Sequence, residues 1–260
     1  MAEQKNSIEV CVSPALYSLH HNEKSIVVVV DILRATSAIC AAFMNGVKHI
    51  IPIGKVDEAR AMKQQGYKVA AERDGIVLDF ADFGNSPFNF TPERVKDQVI
   101  VYSTTNGTQA IQMAASCKAV AVGSFLNLNA LASWLVDQNS DVVIFCAGWK
   151  NRFSLEDTVF AGALADLLMS SGNYNTKCDS TLAAIDLWSL AKNDLHGYIL
   201  KAAQKERLAK NGLDDCIEYC HTPNQTNVIP VLDGDKLIPV VFGTSSCGCS
   251  EKSSPTGCCA

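Results

Sequence analysis

The chain has 260 residues, 48% of them hydrophobic, which is enough apolar material for a substantial buried core in one large domain or two small ones. Its net charge of −5 argues against a nucleic-acid or membrane-surface partner, because both demand a cationic face that neutralises phosphates. No apolar run approaches a membrane span, and MAEQKNSIEV has neither the basic nor the apolar region of a signal peptide, so a cytoplasmic protein is expected.

In chain order, the first strong strand signal is IVVVV, which stops at Asp31. LRATSAICAAFMNG follows, with Ile39, Ala42 and Phe43 at helical spacing and Gly46 as a left-handed stop. A strand at 49–53, a helix at 56–65 and the strand YKVAA, ending at Glu72, extend the order to β-α-β-α-β. From 74 to 92 the pattern breaks into DGIVLDFADFGNSPFNFTP, where glycine, asparagine and two prolines forbid continuous regular structure. A long ordered loop inside a domain is of the functional kind.

Alternation then resumes with strands at 98–102, 119–123 and 141–147 and helices at 108–117, 129–138 and 155–170. Strands separated by single helices imply parallel pairing with right-handed crossovers. Beyond Gly172 come helices at 180–190 and 195–208, then NVIPVLDGDKLIPVVF, a hairpin around Asp233–Gly234 expected to add an antiparallel edge or a small cap. The chain thus reads as one α/β domain over 1–242, with a core at about 25–171 and a C-terminal extension of helices and hairpin over about 172–242. The Cys-rich stretch at 243–260 has almost no apolar bulk to bury and reads as a disordered tail. Of the 11 cysteines, Cys11, Cys40, Cys117 and Cys146 sit singly in apolar stretches and read as reduced core residues.

The strand ends carry the chemistry. Parallel strands would gather their terminal polar clusters along one carboxyl edge, where open α/β sheets bind ligands. Ser103-Thr104-Thr105-Asn106-Gly107-Thr108 joins a strand to a helix, and its amides and hydroxyls can converge on a phosphate; an Asn-Gly turn with Thr108 capping the helix is the competing reading. Asp31 ends a buried strand with Arg34 close enough to be its partner, and it reads equally well as a helix cap. Asp31, Glu72 and Asp157, from three strand ends, are candidate ligands of a hard divalent ion, Mg2+; for Glu156-Asp157, complementing the helix dipole is the alternative. His196 and His221 are weak candidates, and no P-loop or GxSxG elbow occurs.

The ordered set VDILRATSA, AERDG, DFGNSP, TTNGT, GSFLNLNA and AGWKNRFSLEDTVFAGAL resembles the 2-phosphosulfolactate phosphatases, the ComB-like family, from about Val27 to Leu168. The resemblance implies a three-layer α/β/α fold with a mostly parallel or mixed sheet. It also implies a magnesium-dependent hydrolase that converts 2-phospho-3-sulfolactate to 3-sulfolactate and phosphate, on a route to coenzyme M or related sulfonates. The family's pattern falls on Asp31, Arg34, Glu72, Asp82, Asn85, Ser86, Thr104 to Thr108, Asn127, Glu156 and Asp157.

In the implied site Asp31, Glu72 and Asp157 hold Mg2+, Arg34 and the amides near Gly107 take phosphoryl oxygens, and Glu72 or Asp82 orients the attacking water. The sulfonate needs cations of its own, and Arg73, Lys150 and Arg152 lie nearest the expected edge. Two alternatives stand beside this: a phosphatase for another small anionic phosphometabolite, and a non-catalytic protein that binds a phosphorylated ligand. The partner is a small anionic phosphorylated substrate, and a homodimer is left open.

Overall fold

Residues 5–243 are described by a computed structural model, so the expected tail falls, Gly243 apart, outside the described residues. The strands are β1 (Asn6–Cys11), β2 (Ile26–Val30), β3 (His49–Pro52), β4 (Lys68–Arg73), β5 (Ile76–Val77), β6 (Val99–Ser103), β7 (Ala119–Gly123), β8 (Val142–Cys146), β9 (Tyr174–Asn175), β10 (Val228–Asp233) and β11 (Lys236–Val241). The helices are α1 (Tyr17–His20), α2 (Ala35–Met44), α3 (Val56–Gln64), α4 (Pro92–Val95), α5 (Gly107–Met113), α6 (Leu128–Gln138), α7 (Leu155–Ser170), α8 (Asp179–Ala191), α9 (Leu195–Ile199), α10 (Ala203–Lys210) and α11 (Ile217–Cys220). They form a three-layer α/β/α architecture around one mixed sheet in the order β5-β4-β6-β3-β11-β10-β7-β2-β8-β1-β9.

Composition decides which strands are covered on both faces. All five residues of β2 (IVVVV) and of β8 (VVIFC) are buried, as expected of parallel strands covered on both faces. β2 lies between β7 and β8, both parallel to it. α2 is apolar nearly all round, with every residue but Met44 buried, so it belongs in the interior and not on a surface. Its core cluster takes Val27 and Val29 from β2 and Ile100 and Tyr102 from β6, and Tyr102 Oη donates to the Ala35 carbonyl. α6, α7 and α8 cover the opposite face of β1, β2 and β8, and α3 covers the outer face of β4 and β6. Gly46 adopts φ +87°, the left-handed stop expected after α2.

Three features depart from the sequence-based expectation. β1 was not expected: Ile8 and Val10 alternate with Glu9 in a short strand that pairs in parallel with β8. The stretch expected as one helix at 195–208 breaks between α9 and α10, where Ala202 is extended, and the break turns Gln204 and Leu208 inward.

The hairpin β10–β11 is neither an edge nor a cap. It is the centre of the sheet, with β11 antiparallel to β3 and β10 antiparallel to β7. Three consecutive antiparallel pairings reverse the chain sense, so the parallel group β4-β6-β3 runs opposite to the parallel group β7-β2-β8-β1. Strand ends of the two groups still meet because twist accumulates: at roughly 20–25° per neighbour, the five steps from β2 to β6 turn the strands through about 100–125°.

Candidate active site

The meeting point of the two strand groups is a small cavity lined by Asp31, Leu33, Arg34, Glu72, Gly75, Asn85, Asn106, Trp149, Gln204 and Leu208. β2 delivers Asp31, β4 delivers Glu72, and the loop after β6 supplies Asn106. Asp31 Oδ1 accepts the Ala35 N–H at 3.3 Å, and the Asp31 carboxyl also takes the Gly107 amide. Gly107 is required by this close approach, since a Cβ there would stand 2.8 Å from Ala35 Cβ and 3.0 Å from Asp31 Oδ2.

Burial pushes the Asp31 carboxyl up to about 7, with the charges of Glu72 and Glu156 adding to the shift and the two amides opposing it. Glu72 is held more tightly: Oε1 accepts the Thr105 N–H at 2.7 Å, and Oε2 accepts the Gly75 N–H at 2.7 Å and the Thr105 hydroxyl at 3.1 Å.

Arg34 is 3% exposed and donates through Nη2 to Asn85 Oδ1 at 2.7 Å, while Nη1 has no hydrogen-bond partner. A buried guanidinium nitrogen without an acceptor is costly unless a ligand oxygen supplies one. The Leu33–Arg34 peptide bond is cis. Behind Arg34 lies Cys216, whose thiol is brought down to about 7 by a hydrogen bond with Cys220 and, against burial, by the Arg34 charge.

The match to known proteins decides the family of the chain. A family model described as 2-phosphosulpholactate phosphatase matches residues 11–235. The chain is 35% identical over 210 residues to a protein of Caldanaerobacter subterraneus named probable 2-phosphosulfolactate phosphatase, covering 79% of this chain and 87% of that one. Relatives of the same name occur in Clostridium novyi, at 33% identity with 81% and 90% covered, and in Thermotoga maritima, at 35% with 79% and 88% covered. The chain belongs to the 2-phosphosulpholactate phosphatase family.

Within this family framework, the structure brings Asp31, Arg34, Glu72, Asn85 and Asn106 together on one cavity and leaves other expected residues outside its lining. Asp157 is one of these: Oδ1 accepts the Ile32 N–H at 2.9 Å and Oδ2 the Gly148 N–H at 3.1 Å, so its carboxyl clamps the ends of β2 and β8. Burial pushes that carboxyl well up, and Glu156 and Asp31 push it further. Asp82 does not face the cavity either. It pairs with Lys63 at 2.5 Å and accepts the Val69 N–H at 2.8 Å, and these bonds hold it below the usual carboxylate range although burial opposes them. The expected role in orienting water therefore has no geometric support at Asp82.

The segment 104–108 is a cradle for carboxylates and not an open phosphate nest. Thr105 and Gly107 spend their amides on Glu72 and Asp31, while Thr104 and Thr108 cap each other through N–H···Oγ1 bonds of 3.1 and 3.2 Å. Asn127 closes a capping box with Ser124 and donates to the Val122 and Val228 carbonyls, fastening β7 to the hairpin. Ser86 is buried with Oγ unpaired but does not line the cavity.

None of the expected sulfonate partners lines the cavity. Arg73 donates to Glu72 O, Gly54 O and Ser103 Oγ, Lys150 pairs with Asp74 at 2.7 Å, and exposed Arg152 forms a backbone bridge with Trp149. His221 is buried against Phe125, with Nδ1 bonded to the Ile217 carbonyl. Sequence reasoning missed Trp149, Gln204 and Leu208. The last two arrive on α10, far along the chain, and Gln204 anchors there by donating to the Leu33 carbonyl at 3.1 Å.

Among the described residues no group of three or more His, Cys, Asp or Glu side chains is arranged to hold a metal ion. Two carboxylates, Asp31 and Glu72, do face the cavity, and that fits magnesium, which is held by one or two carboxylates with water and substrate oxygens completing six positions. The raised proton affinity of Asp31 marks an anion whose charge lacks compensation, the condition a dication relieves.

Proposed function

We propose that this chain is a magnesium-dependent phosphatase that hydrolyses 2-phospho-3-sulfolactate to 3-sulfolactate and phosphate. One observation carries the reading beyond family membership: Asp31, Glu72 and Arg34 line one cavity and the Nη1 of Arg34 has no hydrogen-bond partner, so hard oxygen ligands stand beside a cation with a donor to spare. Phosphoryl transfer requires little covalent chemistry from the protein, and its catalysis is positioning and charge compensation. Asp31 and Glu72 would hold the magnesium ion, with Asp157 fixing the backbone beneath them. The ion would supply Lewis-acid compensation of charge on the phosphoryl oxygens.

The protein's own groups do the rest. Arg34 Nη1 donates to a non-bridging phosphoryl oxygen, and Asn85 keeps the guanidinium plane aimed by holding Nη2. The Asp31 carboxylate accepts a hydrogen bond from the attacking water and aligns it. The Thr105, Gly75 and Gly107 amides prevent the two mutually repelling carboxylates from turning away.

Phosphate release from 2-phospho-3-sulfolactate, measured with magnesium, with chelator and for Asp31→Asn, tests this reading. Turnover that needs magnesium and disappears in a folded Asp31→Asn protein supports it; undiminished turnover in that variant sinks it. An aspartyl-phosphate route is separated by beryllofluoride, where a stable adduct on Asp31 would replace water attack with covalent catalysis.

A further inference from the structure

Arg207, a cation that the proposed chemistry leaves unused, is held by two residues of the cavity wall, Gln204 and Trp149. Gln204 and Leu208 are spaced i and i+4 on α10 and line the cavity, and Arg207 lies between them on the same side of the helix. Its Nε donates to Gln204 Oε1 at 2.6 Å, and its guanidinium lies over the Trp149 ring, with Cζ 4.8 Å from the ring centroid. Gln204 in turn donates to Leu33 O, next to Arg34. Arg207 is thereby tied through one side chain to the loop that presents Arg34 and Asp31.

These contacts fix the guanidinium plane without using its far end. Among the described residues no carboxylate lies within ion-pair distance of Arg207, and its terminal nitrogens have no acceptor. The buried Glu156 feels its charge from further away. Arg73 is committed to three acceptors and Lys150 to Asp74, and exposed Arg152 has neither an aromatic face nor an amide to orient it among the described contacts. A planar fork, oriented by an aromatic face and an amide and still lacking an anion, suits an oxyanion with several equivalent oxygens.

We propose that Arg207 determines specificity by binding the second strong anion of the substrate, the sulfonate, while Arg34 takes the phosphoryl group. This rests on the phosphatase reading above and adds the residue that distinguishes a phosphosulfonate from a plain phosphomonoester. Trp149 and Leu208 pack the short carbon chain between the two anions. The carboxylate of the same substrate is the competing occupant of the fork, and the choice of substrates separates the two.

The experiment compares kcat/KM for 2-phospho-3-sulfolactate and for 2-phospholactate, which keeps the carboxylate and has hydrogen in place of the sulfonate. Wild type, Arg207→Gln and Arg207→Lys are measured, with the inhibition constant of 3-sulfolactate as a second readout. Arg207→Gln is expected to lower the preference for the sulfonated substrate by about 10- to 100-fold, the range of a hydrogen bond to a charged group, and to raise the inhibition constant in parallel. Arg207→Lys retains part of both, because charge survives and the fork does not.

A preference ratio that stays at the wild-type value in Arg207→Gln overturns the assignment: an unchanged inhibition constant then marks a merely structural residue, and a raised one marks a residue that reads the carboxylate. If the wild type releases no phosphate from 2-phospho-3-sulfolactate, the phosphatase reading itself falls and takes the assignment with it.

Discussion

Glu72 and Thr105, 33 positions apart, meet through two hydrogen bonds: the Thr105 N–H reaches Oε1 at 2.7 Å and the hydroxyl reaches Oε2 at 3.1 Å. One carboxylate thus joins the end of β4 to the loop after β6, and a cavity wall is built from two strand ends at once. Threonine and glycine in that loop act as a frame for the two acids.

Asp31→Asn separates function from stability. Loss of the carboxylate is expected to reduce turnover by at least about 10²-fold, the scale of removing a positioned acid–base group. Stability moves the other way. A carboxyl raised from 3.8 to about 7 by burial binds more protons folded than unfolded, so its cost is absent below about pH 4 and grows as pH rises through 7. In chelator, urea unfolding should show Asp31→Asn more stable than wild type at pH 8, by a few kcal/mol at most, with the gap closing toward pH 4.

Asp157→Ala should behave as a structural lesion. It leaves the buried Ile32 and Gly148 amides without acceptors, at about 1–3 kcal/mol each. A lowered denaturation midpoint is expected, with activity per folded molecule falling as the Asp31 loop loosens. A stability equal to wild type would show that the clamp is dispensable.

His221→Gln tests a buried neutral imidazole. Burial lowers its proton affinity from 6.5 to about 4, although the bond to Ile217 O works against the shift. The unfolded chain therefore binds the extra proton between those values. Wild-type stability from this group is complete above about pH 6.5 and is lost as pH falls toward 4, by about 3 kcal/mol in total. Denaturation of the variant should be flatter over that window, and an identical acid limb would refute the assignment.

Gly162→Ala probes the crossing of α7 and α8. A Cβ at 162 would stand 1.9 Å from the Ala184 carbonyl oxygen and 3.0 Å from Trp188 Cβ, so the helices must separate. Overpacking of this kind costs about 1–3 kcal/mol, visible as a lower thermal midpoint.

Much of this was legible in the chain because it is local. IVVVV, QVIVY and DVVIFC could only be buried strands, and Asp31 and Glu72 could be recognised at strand ends because the apolar run stops there. Arg34 was legible as a cation close to Asp31, and the resemblance added Asn85, which the structure joins to it by a 2.7 Å bond. Tertiary position was not legible. Asp157 looked like a metal ligand and Asp82 like a group that orients water, yet each is consumed by amides or a lysine that only the folded chain brings near. Gln204 and Arg207 gave no signal, since an amphipathic stretch rich in lysine reads as a solvated face until the break after α9 turns it onto Trp149.

The central place of β10–β11 also governs how the molecule can be assembled. The two parallel groups acquire their common neighbour only when residues 228–241 are available, after all the cavity-lining residues have been synthesised. Until then β3 and β7 are open edges on a nascent chain, exposed to off-pathway pairing. A fragment ending before Val228 would contain every residue of the proposed chemistry and yet lack the keystone, and it should emerge from the ribosome as an aggregating and inactive polypeptide.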